Sequence, residues 1–194
     1  TRIDDFDPDA FPIGTSRTGQ LITTFQETPH LLVAGQSGQG KSTYIRTLVT
    51  VLARNNHFAT IYFIDLKGEM EAQVFRDVRN VKVLGSVEEA SRTLTSVSDK
   101  INERMKFLSL NKAKDIDEYN SMPVEKRQVV EGYDKHFPLG RLIVVVDEVA
   151  ELVSQKRSQN WKDVSSAREA LVRIARIGRA LGVNLVIGVQ KPDS

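Results

Sequence analysis

The sequence contains no cysteine, which excludes disulfides, thiolate catalysis and cysteine-based zinc sites. That absence is compatible with a reducing compartment. Long apolar runs are missing too. Runs such as Leu142 to Val146 fall far short of the roughly 20 residues a membrane helix needs, and no signal peptide is visible. There is little net charge, because 27 Lys and Arg face 25 Asp and Glu, leaving +2. No broad basic field announces a nucleic-acid binder, so any contact with DNA would need a local patch or a ring of several copies. Of the 3 histidines, His30, His57 and His136 are scattered, lack metal-ligand spacing, and read as turn or surface residues.

What is present suits one α/β domain. The 194 residues can bury a single core, and 40% hydrophobic against 27% charged is ordinary for a globular chain. Residues 1–10 carry Asp4, Asp5, Asp7 and Asp9 and read as a polar lead-in; the domain proper is expected over 11–194. The chain stops at Ser194 just after a strand-like run, as a fragment truncated at its C-terminus would. Two extended runs, Phe11 to Gly14 and Gln20 to Thr24, flank a glycine-containing loop and predict a short N-terminal hairpin.

Beyond the hairpin, strands and helices alternate. Leu31 to Ala34, Ala59 to Ile64, Val81 to Leu84, Leu142 to Val146 and Val183 to Val189 predict strands. Ser42 to Ala53 has helical spacing of its apolar residues. A second helix starts at Ser86 with Glu89 in the capping-box position, and runs with Leu94, Val97, Ile101 and Met105 on one face. Residues 109–140 read as polar and irregular. Asp163 to Ala180 predicts a helix stopped by Gly182. The alternation predicts a mainly parallel sheet with helices on both faces.

The chemistry concentrates in Gly35-Gln36-Ser37-Gly38-Gln39-Gly40-Lys41-Ser42, which fits G-x-x-x-x-G-K-[ST] in full. Such a loop wraps a polyphosphate in main-chain N–H groups, and its glycines permit the positive φ and close approach this requires. Lys41 places an ammonium on the β- and γ-phosphates, Ser42 offers a hydroxyl to Mg²⁺, and the following turn, through Thr43, presents a helix N-terminus to the anion. A strand before and a helix after supply the setting the motif needs.

Leu142 to Val146 ends in Asp147 and Glu148. A carboxylate ending a buried parallel strand lies at the ligand-binding edge of the sheet. Asp147 is expected to hold Mg²⁺ and Glu148 to polarise a water as general base. Gln190 closes the last strand, where its amide either senses the γ-phosphate or simply caps the strand. Asp65 and Lys67 either reach the same edge or form a turn with Gly68. Trp161 stands among Lys156, Arg157 and Lys162, and would stack on a base or partner or pack locally.

With these residues in view, roughly residues 11–194 resemble the FtsK/SpoIIIE-type motor ATPases. His30 to Ser42 is similar to the family's phosphate-loop segment. Asp65-Leu66-Lys67 resembles its Asp-Pro-Lys, Ile101 to Arg104 its Glu-Met-x-x-Arg, and Tyr119-Asn120 its Tyr-Asn pair. Val145 to Glu148 resembles its Walker B strand, and Arg173 to Pro192 the stretch closing the site, with Lys191 where many members have arginine. The resemblance implies a RecA-like fold, ATP as cofactor with Mg²⁺, and a hexameric ring of copies with nucleotide between neighbours. It also implies motion of double-stranded DNA in the cytoplasm, at the face of a membrane-anchored protein if flanking segments supply the anchor. Secretion and conjugation branches instead act on protein or nucleoprotein cargo. One arginine, Arg179 before Arg176, would then act in catalysis across a subunit interface; otherwise Arg173, Arg176 and Arg179 are a solvated basic face.

Overall fold

The computed structural model describes residues 7–36, 38–68, 70–153 and 161–190. Strands β1 (Ala10–Ser16) and β2 (Gly19–Thr24) pair antiparallel, as the two short runs predict. The hairpin docks through Phe11 and Phe25, both buried, with ring centroids 4.8 Å apart. It is also tied to helix α1 (Lys41–Asn55), where the Tyr44 hydroxyl donates to Pro12 O at 2.9 Å.

The main sheet comprises β3 (His30–Gly35), β4 (Thr60–Ile64), β5 (Val81–Leu84), β6 (Leu142–Val146) and β7 (Val183–Gln190). Its spatial order is β3-β7-β6-β4-β5, and every pairing is parallel. Strand β6 is central and wholly buried, which is why its five residues read as one apolar run. Alternation splits them between two cores. Ile143 and Val145 join Ile45, Leu48 and Leu52 of α1, while Leu142, Val144 and Val146 join α3 (Val87–Leu110) and α6 (Trp161–Ile177). Short helices α2 (Met70–Gln73), α4 (Ile116–Ser121) and α5 (Val149–Val153) complete the layers.

Helix α3 begins as expected: Ser86 Oγ accepts the Glu89 N–H at 3.2 Å, and Glu89 Oε2 reaches back to the Gly85 N–H at 3.2 Å. Its buried stripe departs from expectation at the far end. Met105 is 46% exposed, and Arg104 at 5% takes the inner position. From Ile101, steps of three and four lead to Arg104 and Leu108, so Met105 falls off the stripe.

Residues 109–140 are not irregular throughout. Asp115 caps α4 by accepting the Glu118 N–H at 2.8 Å, and a 3₁₀ turn covers Val124–Lys126. The Arg127 guanidinium then ties the loop through the carbonyls of Asn120 (2.9 Å), Met122 (3.1 Å), Lys135 (3.0 Å) and Phe137 (3.2 Å). One side chain does here what periodic apolar burial does elsewhere, and it leaves no periodic trace. The acidic lead-in is anchored as well: Asp9 pairs with the buried Arg141 and accepts the Asn56 amide at 2.6 Å. Nor is His30 a surface or turn residue, because it opens β3 with its Nδ1 accepting the Leu185 N–H at 3.1 Å. His57 and His136 are exposed, as expected.

Candidate functional site

Parallel strands bring their C-terminal ends to one edge, and the candidate site assembles there. β3 delivers the loop and β6 the acids. β7 lies between them and ends in register with the loop, Gly35 opposite Gln190. Gly40 is the N-cap of α1 with φ 88°, a left-handed conformation that a side chain at this position would strain. Among the described residues no side chain caps α1 and its first turn holds no acid, which leaves the leading N–H groups suited to an anion. Within the loop, Gln39 N–H donates to Gln36 O at 3.2 Å and its amide to Gln36 Oε1 at 2.9 Å. Gly38 also has positive φ, at 76°. Ser37 lies outside the described residues. Thr43 is exposed in the first turn.

Lys41 crosses from α1 to the acids. Its ammonium is 3.1 Å from Asp147 Oδ1 and 3.8 Å from Glu148 Oε2, and it also donates to the Asp147 carbonyl. The Ser42 hydroxyl lies 3.5 Å from the same Asp147 Oδ1. A hydroxyl and a carboxylate oxygen thus meet, a hard-oxygen pair suited to Mg²⁺. Asp147 and Glu148 are both 7% exposed, so the single Lys41 ammonium offsets part of their charge in a site of reduced screening. Glu148 has further donors: the backbone N–H of Gln190 at 3.2 Å and that of Ala150 at 3.4 Å.

The structure therefore brings together Lys41, Ser42, Asp147, Glu148 and Gln190. Gln190 meets Glu148 through its main chain, a contact that its place in the sequence does not announce. Asp65 fits both of its readings. It ends β4 beside β6 at the same edge, and its Oδ1 accepts the Lys67 N–H at 3.2 Å in a turn with Gly68 at φ 65°. Arg173 is tied to α3, donating to Ser98 at 3.2 Å and Asn102 at 2.5 Å. Helix α6 stops at Ile177, short of the expected Ala180; Arg179 instead begins a 3₁₀ turn, Arg179–Leu181, ahead of the left-handed Gly182. That turn precedes β7, so Arg179 stands at the end of the sheet opposite Gln190. Lys156, Arg157, Lys191 and Pro192 fall outside the described residues; Trp161 opens α6 and is 60% exposed.

One residue escaped sequence reading. A Cβ on Gly188 would lie 2.0 Å from Asp147 O, so β7 can pass the acid-bearing turn only as glycine there. A glycine inside an apolar strand run is the available signal of such close approach.

A parallel sheet with a phosphate-type loop and strand-end acids converging on one lysine defines a P-loop nucleoside triphosphatase. Residues 10–194 match the FtsK/SpoIIIE family, and the chain belongs to it, as a P-loop ATPase of the FtsK type. It is 33% identical over 172 residues to the type VII secretion system protein EssC of Staphylococcus aureus (strain NCTC 8325 / PS 47), covering 85% of this chain and 10% of that protein. It is 30% identical over 187 residues to the DNA translocase FtsK of Lactococcus lactis subsp. cremoris (strain MG1363), covering 94% and 23%. The solved monomer form of the pCW3 conjugation coupling protein TcpA with ATPγS superposes with a TM-score of 0.80 at 30% identity, covering 96% of this chain and 49% of that one. The cytoplasmic domain of the Thermomonospora curvata type VII secretion ATPase EccC, 24% identical with a TM-score of 0.73 over 97% of this chain and 23% of that one, shares the fold. Among the described residues, no helix is long and apolar enough to cross a membrane.

Proposed function

We propose that this domain is the ATP-hydrolysing motor of a ring oligomer that moves double-stranded DNA, working on the cytoplasmic side. The observation that carries the ATPase site is the convergence of Lys41 and Ser42 on Asp147 and Glu148. In this reading Gly35 to Thr43 cage the phosphates with main-chain N–H groups, and Lys41 turns from the acids to the β- and γ-phosphates. Ser42 and Asp147 hold Mg²⁺, which neutralises phosphate charge when bound. Glu148 accepts the proton of the attacking water, and its Gln190 and Ala150 contacts orient the carboxylate. Gln190 contributes its position at the end of β7, next to the γ-phosphate side of the loop.

Arg179 is assigned to a neighbour's site. The eight residues of β7 separate it from its own phosphate loop by roughly 23 Å at strand rise. An arginine at that distance can stabilise transition-state charge only in trans.

The DNA cargo is supported by the similarity to the DNA translocase FtsK across 94% of this chain. A second reading, with protein or nucleoprotein cargo, is favoured by the 33% identity to EssC and by a net charge of only +2. ATPase activity measured across protein concentration, with and without double-stranded DNA, separates them. Turnover that rises with concentration and is further stimulated by DNA supports the first reading. Assembly-dependent turnover indifferent to DNA at low salt, where phosphate contacts are strongest, supports the second.

A further inference from the structure

One buried charge outside the nucleotide site is answered mainly by carbonyls. Arg104, 5% exposed in α3, spends its guanidinium on backbone carbonyls: Nη1 donates to Leu181 O at 2.7 Å and Gly182 O at 3.4 Å, and Nη2 to Gly140 O at 2.6 Å. Burial pushes its pKa down to about 10, with the nearby Tyr133 opposing the shift. A desolvated cation answered by neutral acceptors is costly to keep, and apolar residues would fill the same volume more cheaply. The fork must therefore supply geometry that apolar packing does not.

Its three acceptors identify that geometry. Gly140 leads into β6, whose far end carries Asp147 and Glu148. Gly182 leads into β7. Leu181 closes the 3₁₀ turn that begins with Arg179. That turn is closed by Leu181 N–H to Gly178 O at 3.0 Å, Gly182 N–H to Arg179 O at 3.2 Å and Val183 N–H to Gly178 O at 2.9 Å, while Leu142 N–H donates to Gly182 O at 2.9 Å. Such 3₁₀ turns are short and their hydrogen-bond geometry is poorer than that of an α-helix, so an outside contact adds to their hold. Gly182 Cα has no room for a side chain, since a Cβ there would lie 2.3 Å from Ile116 Cδ1 and 3.3 Å from Arg104 Nη1. On the outer side of the same turn, Arg179 is exposed and donates to Gln26 O at 3.2 Å. Arg176 and Lys114 stand beside it on an open groove walled by Leu108 and Leu181.

We propose that Arg104 is a positioning residue for catalysis in trans: it clamps the inner side of the Arg179–Leu181 turn so that Arg179 projects at a fixed height toward the nucleotide site of a neighbouring copy. This rests on the assignment of Arg179 to a neighbour's site. The planar fork ties the turn, through Nη1 to the Leu181 and Gly182 carbonyls, to the entry of β6, through Nη2 to the Gly140 carbonyl, a fixed cross-link that neither lysine nor an apolar residue supplies. A displacement of about 1 Å in a charge-stabilising group costs up to about a hundredfold in rate.

The test uses subunit mixing in the full polypeptide. Arg104→Met keeps a sound nucleotide site but displaces its arm. Glu148→Gln keeps a sound arm but cannot hydrolyse. Arg104→Met alone is expected to lose at least about tenfold in ATPase rate while binding ATPγS within about twofold of wild type. An equimolar mixture with Glu148→Gln is expected to exceed the sum of the two separate activities, because intact arms then serve intact sites. A merely structural lesion would damage the variant's own site and give no such gain. Arg179→Ala mixed with Glu148→Gln is the companion measurement. If that mixture gains and the Arg104→Met mixture does not, Arg104 does not position the arm. If neither gains, Arg179 does not act in trans and the proposal falls with that assignment. Should Arg104→Met not accumulate as folded protein, Arg104→Lys, which retains the charge but loses the fork, carries the same comparison.

Discussion

Gln190 donates its backbone N–H to Glu148 Oε2 at 3.2 Å, so the last strand of the sheet holds the carboxylate that follows the central one. The two residues are 42 positions apart in sequence and share an edge because β6 and β7 are neighbours in register. Since the restraint comes from the main chain, it survives substitution of the Gln190 side chain. It breaks only if β7 shifts.

This arrangement separates binding from turnover. Glu148→Gln keeps the acceptor oxygen toward Gln190 but removes the base. Turnover is expected to fall roughly 10²–10⁴-fold while ATPγS affinity stays near wild type. Steady-state hydrolysis beside equilibrium binding checks it. Retained turnover would remove Glu148 from the mechanism.

Lys41 carries a second expectation, on stability in the absence of nucleotide. It sits between two acids that are each 7% exposed. Lys41→Met leaves both carboxylates buried without their cation, at a cost of about 3 kcal/mol. In a domain of this size that is roughly a 6–12 °C fall in Tm. Asp147→Asn added to Lys41→Met should recover part of the loss, because one stranded charge is gone. Thermal melts of the single and double variants decide the point; a Lys41→Met protein as stable as wild type would contradict the pairing. Affinity for ATPγS should fall in Lys41→Met as well, since the phosphates lose their ammonium.

His30 predicts a pH dependence of a definite sign. Burial is the main cause that holds its pKa below the ordinary value, with a backbone contact to Ala175 opposing. Its Nδ1 accepts the Leu185 N–H, so the neutral ring is the one the fold accommodates. The unfolded chain takes up a proton near pH 6.5, and the folded chain does so only at lower pH. This contribution to stability is therefore fully present above about pH 6.5 and is lost as pH falls below it. Denaturant midpoints between pH 8 and pH 5 should decline less steeply for His30→Gln than for wild type. Equal slopes would show that His30 is not the responsible group.

Much of this was legible in the chain itself. The hairpin, the five strands, the α1 and α3 starts and the positive φ of Gly38 and Gly40 follow from local signals: alternation, capping and glycine spacing; Gly35 does not have positive φ. Those signals are carried by neighbours in sequence, so no partner is needed to read them. The end of α3 is ambiguous in the sequence at Met105 because a stripe that advances by three and four can be continued two ways, and only packing selects Arg104. The 109–140 segment was opaque because Arg127 organises it through carbonyls, which every residue possesses.

The sequence by itself determined the P-loop identity: a strand, a glycine loop with Lys41 and Ser42, and an apolar strand ending in Asp147 and Glu148. Tertiary structure alone decided how these meet. The strand order β3-β7-β6 inserts β7 between loop and acids, which makes Gly188 a clearance and Gln190 a main-chain donor. It also places Arg179 at the far end of the sheet, with Arg104 beneath its turn. Pairing between strands far apart in sequence is a property of the whole folded sheet, and no local stretch of residues encodes which ends will touch.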